Sequence, residues 1–457
     1  MILSVADALC PAKVYDLMPY LLDAVYLALL VIFSPFLTRR SVRTGRYREG
    51  WGEKLLGSAP ARLGDGPCVW FHAVSVGEVL LLRPVIAAMR RRRPGWEVVV
   101  STTSRTGLEV ARRTFPDIVT FYAPMDLSWA VKRAVARIRP TVLALVELEI
   151  WPNLIRAARE SGARVVVVNG RLSARSHRGY GLLRMPLRST FHGLDAVLAQ
   201  TGEYARRFVD LGVPEPRVRV TGSVKYDGLE VDRDNARTRM LRRDLRLDAS
   251  EIVFVAGSTM EGEETAAFAA YEAARATHPR LRLVVVPRHA ERFDQVAEEL
   301  TSRGARVLRR SGVGSTQGVE SSAQGQAQPV VLVDTIGELA AVWGLADIAF
   351  VGGSLYPGRG GQNMMEPAAF GASVLFGPHT RNFKDTVEQL LARDAARVVT
   401  DAEDLKAALL ESLEDPEGAA SRGASARSFV LAQEGASERT LAELDRLVDS
   451  TRPAKTT

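Results

Sequence analysis

Asp347 to Phe383, DIAFVGGSLYPGRGGQNMMEPAAFGASVLFGPHTRNF, decides the fold. Its apolar run Ile348 to Val351 reads as a buried parallel strand. Five glycines follow within ten residues: Gly352, Gly353, Gly358, Gly360 and Gly361. Asn363 to Phe370 then reads as a helix start, with Glu366 and Pro367 in its first turns, and Ser373 to Phe376 as a second strand. Strand, glycine loop, helix, strand is the unit of a doubly wound sheet that binds a nucleotide at strand ends. Glycine lets backbone approach a ligand that a Cβ would hold off, and a helix start offers N–H groups to phosphate. Glu366 stands where ribose hydroxyls would lie. The loop fits neither GxGxxG nor a P-loop, so the motif alone is weak and its surroundings carry the reading.

The same grammar runs through all 457 residues, too many for one ordinary core, so two domains are expected. A composition 46% hydrophobic and 25% charged is that of a globular protein. The net charge of +7 suits a phosphate-rich partner or an anionic membrane surface. There is no zinc spacing and no run of aromatics among basic residues, so nucleic acid is not the expected partner. Two cysteines, Cys10 and Cys68, make neither a disulfide framework nor a metal motif. No metal or cofactor is expected. Arg90 to Arg93 ends an amphipathic helix and reads as a solvated terminus.

Leu17 to Leu37 is the membrane candidate, with Asp23 as its one charge. As a helix it would span ~30 Å, enough for a bilayer core. Arg39, Arg40, Arg43, Arg46 and Arg48 follow, which places the bulk of the chain in the cytoplasm by the positive-inside rule. Pro19, Asp23 and Pro35 leave open a helix lying in the interface.

In the first half, Cys68 to His72 reads as a strand that delivers Ser75, Gly77 and Glu78 to a helix N-terminus. That position is where open α/β sheets bind ligands, although Glu78 could equally serve the helix dipole. Val142 to Val146 delivers Glu147 and Glu149 in ELEIWPN, two carboxylates that are expensive at a buried strand end unless solvated, paired or used. Arg171, Arg175 and Arg178 follow the next strand, where they could grip an anion or make local ion pairs. Val218 to Val220 leads to Lys225 and Asp227. Gly228 to Leu247 is dense in charge and reads as a linker; Asp232 and Asp234 within it form a weak metal motif. In the second half Gly257, Ser258 and Thr259 read as a turn offering donors to phosphate, and Arg288 and His289 stand at a strand end. Asp334 and Glu338 follow another, and Ser311 to Pro329 reads as a low-complexity surface insertion. The natural architecture is two doubly wound domains facing across a cleft, nucleotide on the second and acceptor on the first. The expected divisions are 1–48 (anchor and basic segment), 49–227 (acceptor domain), 228–247 (linker) and 248–457 (nucleotide domain with closing helices).

Eight motifs in order, HAVSVGE, ELEIWPN, NGRLSARS, TGSVKYD, GSTMEGEE, VPRHAERF, DTIGEL and the opening stretch, resemble the 3-deoxy-D-manno-octulosonic acid (Kdo) transferases of lipopolysaccharide assembly. The resemblance covers about Trp51 to Val448 and implies the GT-B glycosyltransferase fold. It implies transfer of Kdo from CMP-Kdo to the lipid A precursor at the cytoplasmic face of the inner membrane, without metal and with inversion. It implies Glu78 as general base, which a helix N-terminus would keep ionised. Ser75, Gly77, Glu147, Glu149, Arg171 and Arg175 would serve the acceptor. Ser258, Thr259, Arg288, His289, Gly352, Gly353, Gly361, Asn363 and Glu366 would hold the donor, and by its charge alone Lys225 would meet the Kdo carboxylate. The chain departs from the family at Gln362 and Met260, where histidine is usual. The rivals are a sugar-nucleotide epimerase on the same fold and a non-catalytic CMP-sugar binder.

Overall fold

The computed structural model describes residues 11–44, 49–313 and 328–451. Arg46, Arg48 and most of the low-complexity stretch (314–327) lie outside the described residues. The chain divides into two compact units, Met1–Asp227 with Glu434–Thr457, and Gly228–Gln433.

The first unit carries a parallel sheet of β1 (Cys68–His72), β2 (Glu97–Thr102), β3 (Val119–Tyr122), β4 (Val142–Val146), β5 (Arg164–Gly170), β6 (Ala196–Ala199) and β7 (Val218–Val220). Their order is β3-β2-β1-β4-β5-β6-β7. The second unit carries β8 (Ile252–Thr259), β9 (Leu281–Pro287), β10 (Val307–Arg309), β11 (Val330–Leu332), β12 (Ile348–Val351), β13 (Ser373–Phe376) and β14 (Ala396–Val398), in the order β10-β11-β9-β8-β12-β13-β14. Central strands such as Val142–Val146 and Ile348–Val351 are buried along their whole length, because helices cover both faces of a parallel sheet. That is why they read as unbroken apolar runs. Each order reverses direction once, between β1 and β4 in the first sheet and between β8 and β12 in the second. At these reversals neighbouring loops part and leave a crevice at the strands' carboxyl ends.

Two sequence readings change here. The expected linker 228–247 contains the helix Ala236–Asp244, capped by Asn235 and buried at Leu241, with Thr238 Oγ1 bonded to the Ala341 carbonyl. It is part of the second unit. The last helix, Ala436–Asp449, closes the first unit rather than the second. Its Leu441, Leu444, Leu447 and Val448 share a core with Leu82, Val85, Ile86 and Met89 of the helix Val76–Arg92. Each such leucine contributes about 1.5–3 kcal/mol on burial. Asp227 receives its start, accepting the Gly435 N–H at 2.7 Å and the Ser437 N–H. Arg90 to Arg93 are exposed, as a solvated terminus should be, and Arg92 and Arg93 also pair with Glu438 and Asp445, both at 2.7 Å.

Candidate functional site

Glu78 sits in the first turn of Val76–Arg92, directly after β1 at the reversal point. Ser75 caps that helix, accepting the Glu78 N–H at 3.3 Å and donating its hydroxyl to Glu78 Oε1 at 2.7 Å. The Val74 N–H donates to Glu78 Oε2 at 2.8 Å. This is a variant of the capping box, with serine and glutamate three apart and the glutamate taking the N–H one residue ahead of the N-cap. The sequence reading expected the helix end to hold Glu78 well ionised. Burial instead pushes its carboxyl up to about 7, against the lowering by Ser75 and Val74, and Glu149 and Glu147 add to the rise. Desolvation outweighs two hydrogen bonds because the charged form loses bulk water while gaining only two donors. Gly77 is exposed, and a Cβ there would meet only Ser75 Oγ at 3.8 Å, so the surface beside Glu78 is open.

Glu147 and Glu149 follow β4, the strand beside β1. Glu147 has φ 57° and Asn169, at the end of β5, has φ 54°, both in the left-handed region that non-glycine residues seldom enter. Strain of this kind persists where the surroundings over-determine it. Here Glu147 Oε1 lies 3.3 Å from Lys225 Nζ and accepts from Asn169 Nδ2 at 3.5 Å, while Asn169 Oδ1 accepts the Val224 N–H at 3.2 Å. Lys225, expected from sequence to meet the donor, is thus held by Glu147, which was expected on the acceptor side. Glu149 accepts the Trp151 indole N–H at 2.8 Å, and burial pushes its carboxyl up. Trp151 packs edge-on against buried His72, ring centres 4.7 Å apart. Burial holds the His72 imidazole down at about 3, so it is neutral and serves packing. Arg175 and Arg178 are exposed on the helix Ala174–Leu182, whose N-cap is Ser173.

In the second unit the glycine loop differs from its sequence reading. The carboxylate of Glu263, 1% exposed, accepts the backbone N–H groups of Met260 (2.8 Å), Gly353 (2.6 Å), Ser354 (3.0 Å) and Leu355 (2.9 Å). The N–H groups at the start of the glycine loop, those of Gly353, Ser354 and Leu355, are thus occupied by the protein itself. Gly352 is glycine because a Cβ would stand 2.6 Å from the Thr259 Cα and 2.7 Å from Glu263 Oε2. Gly257 to Thr259 is strand, not turn. Ser258 is a bulge with φ 55°, and Thr259 is fully buried with an unpartnered hydroxyl. The helix after the loop is only Met365–Ala369, five residues, with Asn363 Oδ1 accepting the Met365 N–H at 3.1 Å. Asp334 and Glu338 are engaged by Arg309 and Arg310.

The structure does gather one polar group of the second unit. Asn363 Nδ2 donates to Glu366 Oε1 at 2.9 Å. Burial raises the Glu366 carboxyl, and the nearby Arg288 charge partly lowers it. His289, beside exposed Arg288, lies 3.7 Å from Glu291. Gln362 lies over Gly353, its side chain 3.2 Å from where a Cβ would stand. A cavity of about 480 Å³ opens beside the loop, lined among others by Gly358, Gly360, His379, Thr380, Arg381 and Lys384. The last four were missed, although basic residues just after β13, at a strand's carboxyl end, were a legible signal.

Residues 43–228 match the family model described as 3-Deoxy-D-manno-octulosonic-acid transferase (kdotransferase). The chain is 36% identical over 419 residues to a 3-deoxy-D-manno-octulosonic acid transferase of Bordetella pertussis, covering 89% of this chain and 94% of that one. It is 32% identical over 436 residues to that of Haemophilus influenzae, covering 94% and 97%. Among solved structures, a glycosyltransferase from Rickettsia africae matches with a TM-score of 0.54 at 11% identity, covering 86% of this chain and all of that one; the likeness is one of fold alone.

Proposed function

The chain belongs to the 3-deoxy-D-manno-octulosonic acid (Kdo) transferases, a family of glycosyltransferases, and from that premise we propose that it moves Kdo from CMP-Kdo to the lipid A precursor, with Glu78 as general base and inversion at the anomeric carbon. The observation that carries this is Glu78 itself: a half-buried carboxylate at the reversal point of the first sheet, open on its Gly77 side, with its pKa brought to about 7. A base is most effective when its pKa lies near the working pH. In the step, an acceptor hydroxyl oxygen forms a bond to the anomeric carbon and its proton passes to Glu78. The bond from that carbon to the CMP phosphate oxygen breaks, and CMP leaves with the electron pair.

The first unit then takes the acceptor, with Glu147 and Glu149 setting the charge around Glu78, and Arg171 and Arg175 meeting acceptor phosphates. Lys225 has donors beyond the one directed at Glu147 and would meet the Kdo carboxylate. The second unit takes CMP: Glu366 with Asn363 on ribose hydroxyls, and Arg288 with the basic lining of the loop cavity on phosphate. The N-terminal helix anchors the protein to the inner membrane, with both units in the cytoplasm.

The test is transfer of Kdo from CMP-Kdo, generated in situ, to a tetra-acylated lipid A precursor, read by product mass. Glu78→Gln should lower kcat by about 10²–10⁴-fold. Its melting should shift by no more than about 1 kcal/mol, since Ser75 still caps the helix. An undiminished rate would remove Glu78 as base. Consumption of the sugar nucleotide without acceptor would indicate an epimerase instead.

A further inference from the structure

The anchor reading leaves open how the helix Pro11–Thr44 meets the membrane, and its contacts decide between crossing and lying flat. Asp23 is 6% exposed, near the start of the most apolar stretch, Pro19–Phe36. Its carboxylate accepts the Ser128 N–H at 2.7 Å, the Ser128 hydroxyl at 2.5 Å and Asn153 Nδ2 at 3.4 Å. The helix Ser128–Ile138 has no side-chain cap of its own, so Asp23 caps it from a distant segment. The helix Pro152–Glu160 likewise lacks its own cap. Asp126 accepts its Asn153 and Leu154 N–H groups, at 3.1 and 2.8 Å, and the Tyr26 hydroxyl at 3.5 Å. One side of the N-terminal helix therefore faces the first unit: Pro19, Leu22, Asp23, Tyr26 and Leu30, spaced i, i+3, i+4, i+7 and i+11.

The chain comes back to the same place. Glu53 accepts the Tyr122 N–H at 2.9 Å, the Lys54 carbonyl accepts the Met125 N–H at 2.7 Å, and the Leu55 carbonyl accepts the Trp129 indole N–H at 2.8 Å. Asp23, near the start of the apolar segment, and Glu53 to Leu55, 17–19 residues beyond its end, are thus tied to one stretch, Tyr122 to Trp129. A crossing helix must hold Pro19 and Phe36 on opposite sides of a core about 30 Å thick. That would put Asp23 near the far side while Glu53 stayed on the near side, and one loop cannot hold both.

We propose that the helix does not cross the bilayer: Asp23 clamps it along the first unit, and its outer stripe of Leu21, Val25, Leu29, Ile32 and Phe36 enters one leaflet only. These side chains are 44–67% exposed and share one face, at i, i+4, i+8, i+11 and i+15. The occupant is a lipid leaflet with anionic headgroups, because the stripe runs directly into the arginine-rich segment that begins at Arg39. The inference rests on the anchor reading above and narrows it: both ends of the helix stay on the side of the catalytic units.

The experiment uses the full chain with a cysteine in a short extension ahead of Met1, in spheroplasts, with a membrane-impermeant maleimide. The expected result is labelling only after permeabilisation, as for a cysteine appended at the C-terminus. Labelling of intact spheroplasts would overturn the inference and leave the anchor standing. In parallel, Leu29→Ser/Ile32→Ser/Phe36→Ser should bind phosphatidylethanolamine/phosphatidylglycerol vesicles at least about tenfold more weakly than the parent, with unchanged melting. Failure of the parent to bind vesicles, with a dimer in solution, would mean that a second copy covers the stripe and would sink the anchor reading as well.

Discussion

Glu78 and Glu263 hold corresponding places in the two units. Each lies in the first turn of the helix after the strand that borders its sheet's reversal, β1 and β8. Their fates are opposite. Glu263 is buried and its two oxygens take four backbone N–H groups, so it pins the glycine loop to the sheet. Glu78 takes one hydroxyl and one N–H, keeps a path to solvent past Gly77, and is raised to about 7. A carboxylate saturated with fixed donors serves the fold, whereas one with unfilled lone pairs has the properties of the base proposed above; burial raises the Glu263 carboxyl as well, so donor saturation is what separates the two.

The contrast breaks most directly at Glu263. Glu263→Ala leaves buried N–H groups without acceptors and should destabilise the second unit by about 3–5 kcal/mol, read by thermal or urea melting. Glu263→Gln should fall between it and the parent, since one amide oxygen replaces two carboxylate oxygens. Melting unchanged by alanine would mean the loop needs no pin. At Glu78 the effect is smaller and lies in pH dependence. A base must be unprotonated, so kcat/KM should rise with pH through an acid limb near 7. Glu149→Gln removes a charge that raises the Glu78 pKa, and should move this limb to lower pH. A limb that stays in place would dissociate Glu149 from Glu78. Smallest should be Met260→His, which supplies the histidine expected from the family resemblance. Met260 serves Glu263 through its backbone N–H, so melting should stay within about 0.5 kcal/mol and transfer within a few-fold. A large gain in rate would show that a histidine there does proton chemistry.

The strands were legible because parallel strands buried on both faces read as short apolar runs, and Val142–Val146 and Ile348–Val351 stand at or within one residue of where periodicity puts them. Ser75 and Glu78 were legible for a local reason, since a capping box is written in four consecutive residues. The glycine loop misled because glycine marks close approach without naming what approaches. Here it is the Glu263 carboxylate and the Thr259 backbone as much as any ligand. Arg90 to Arg93 were legible as an exposed helix end, but the partners of Arg92 and Arg93, Glu438 and Asp445, were not, because they lie about 350 residues on.

By itself the sequence determined two doubly wound sheets, the family, and the strand ends at which polar side chains collect, because apolar runs, turn residues and caps act within a few residues of each other. Only the tertiary structure decided that Glu78 is poised near neutrality, that Glu263 is a pin, that the last helix closes the first unit and that Asp23 is a cap. Desolvation, saturation of a carboxylate and pairing across more than a hundred residues are properties of surroundings, and the surroundings exist only once the chain has folded.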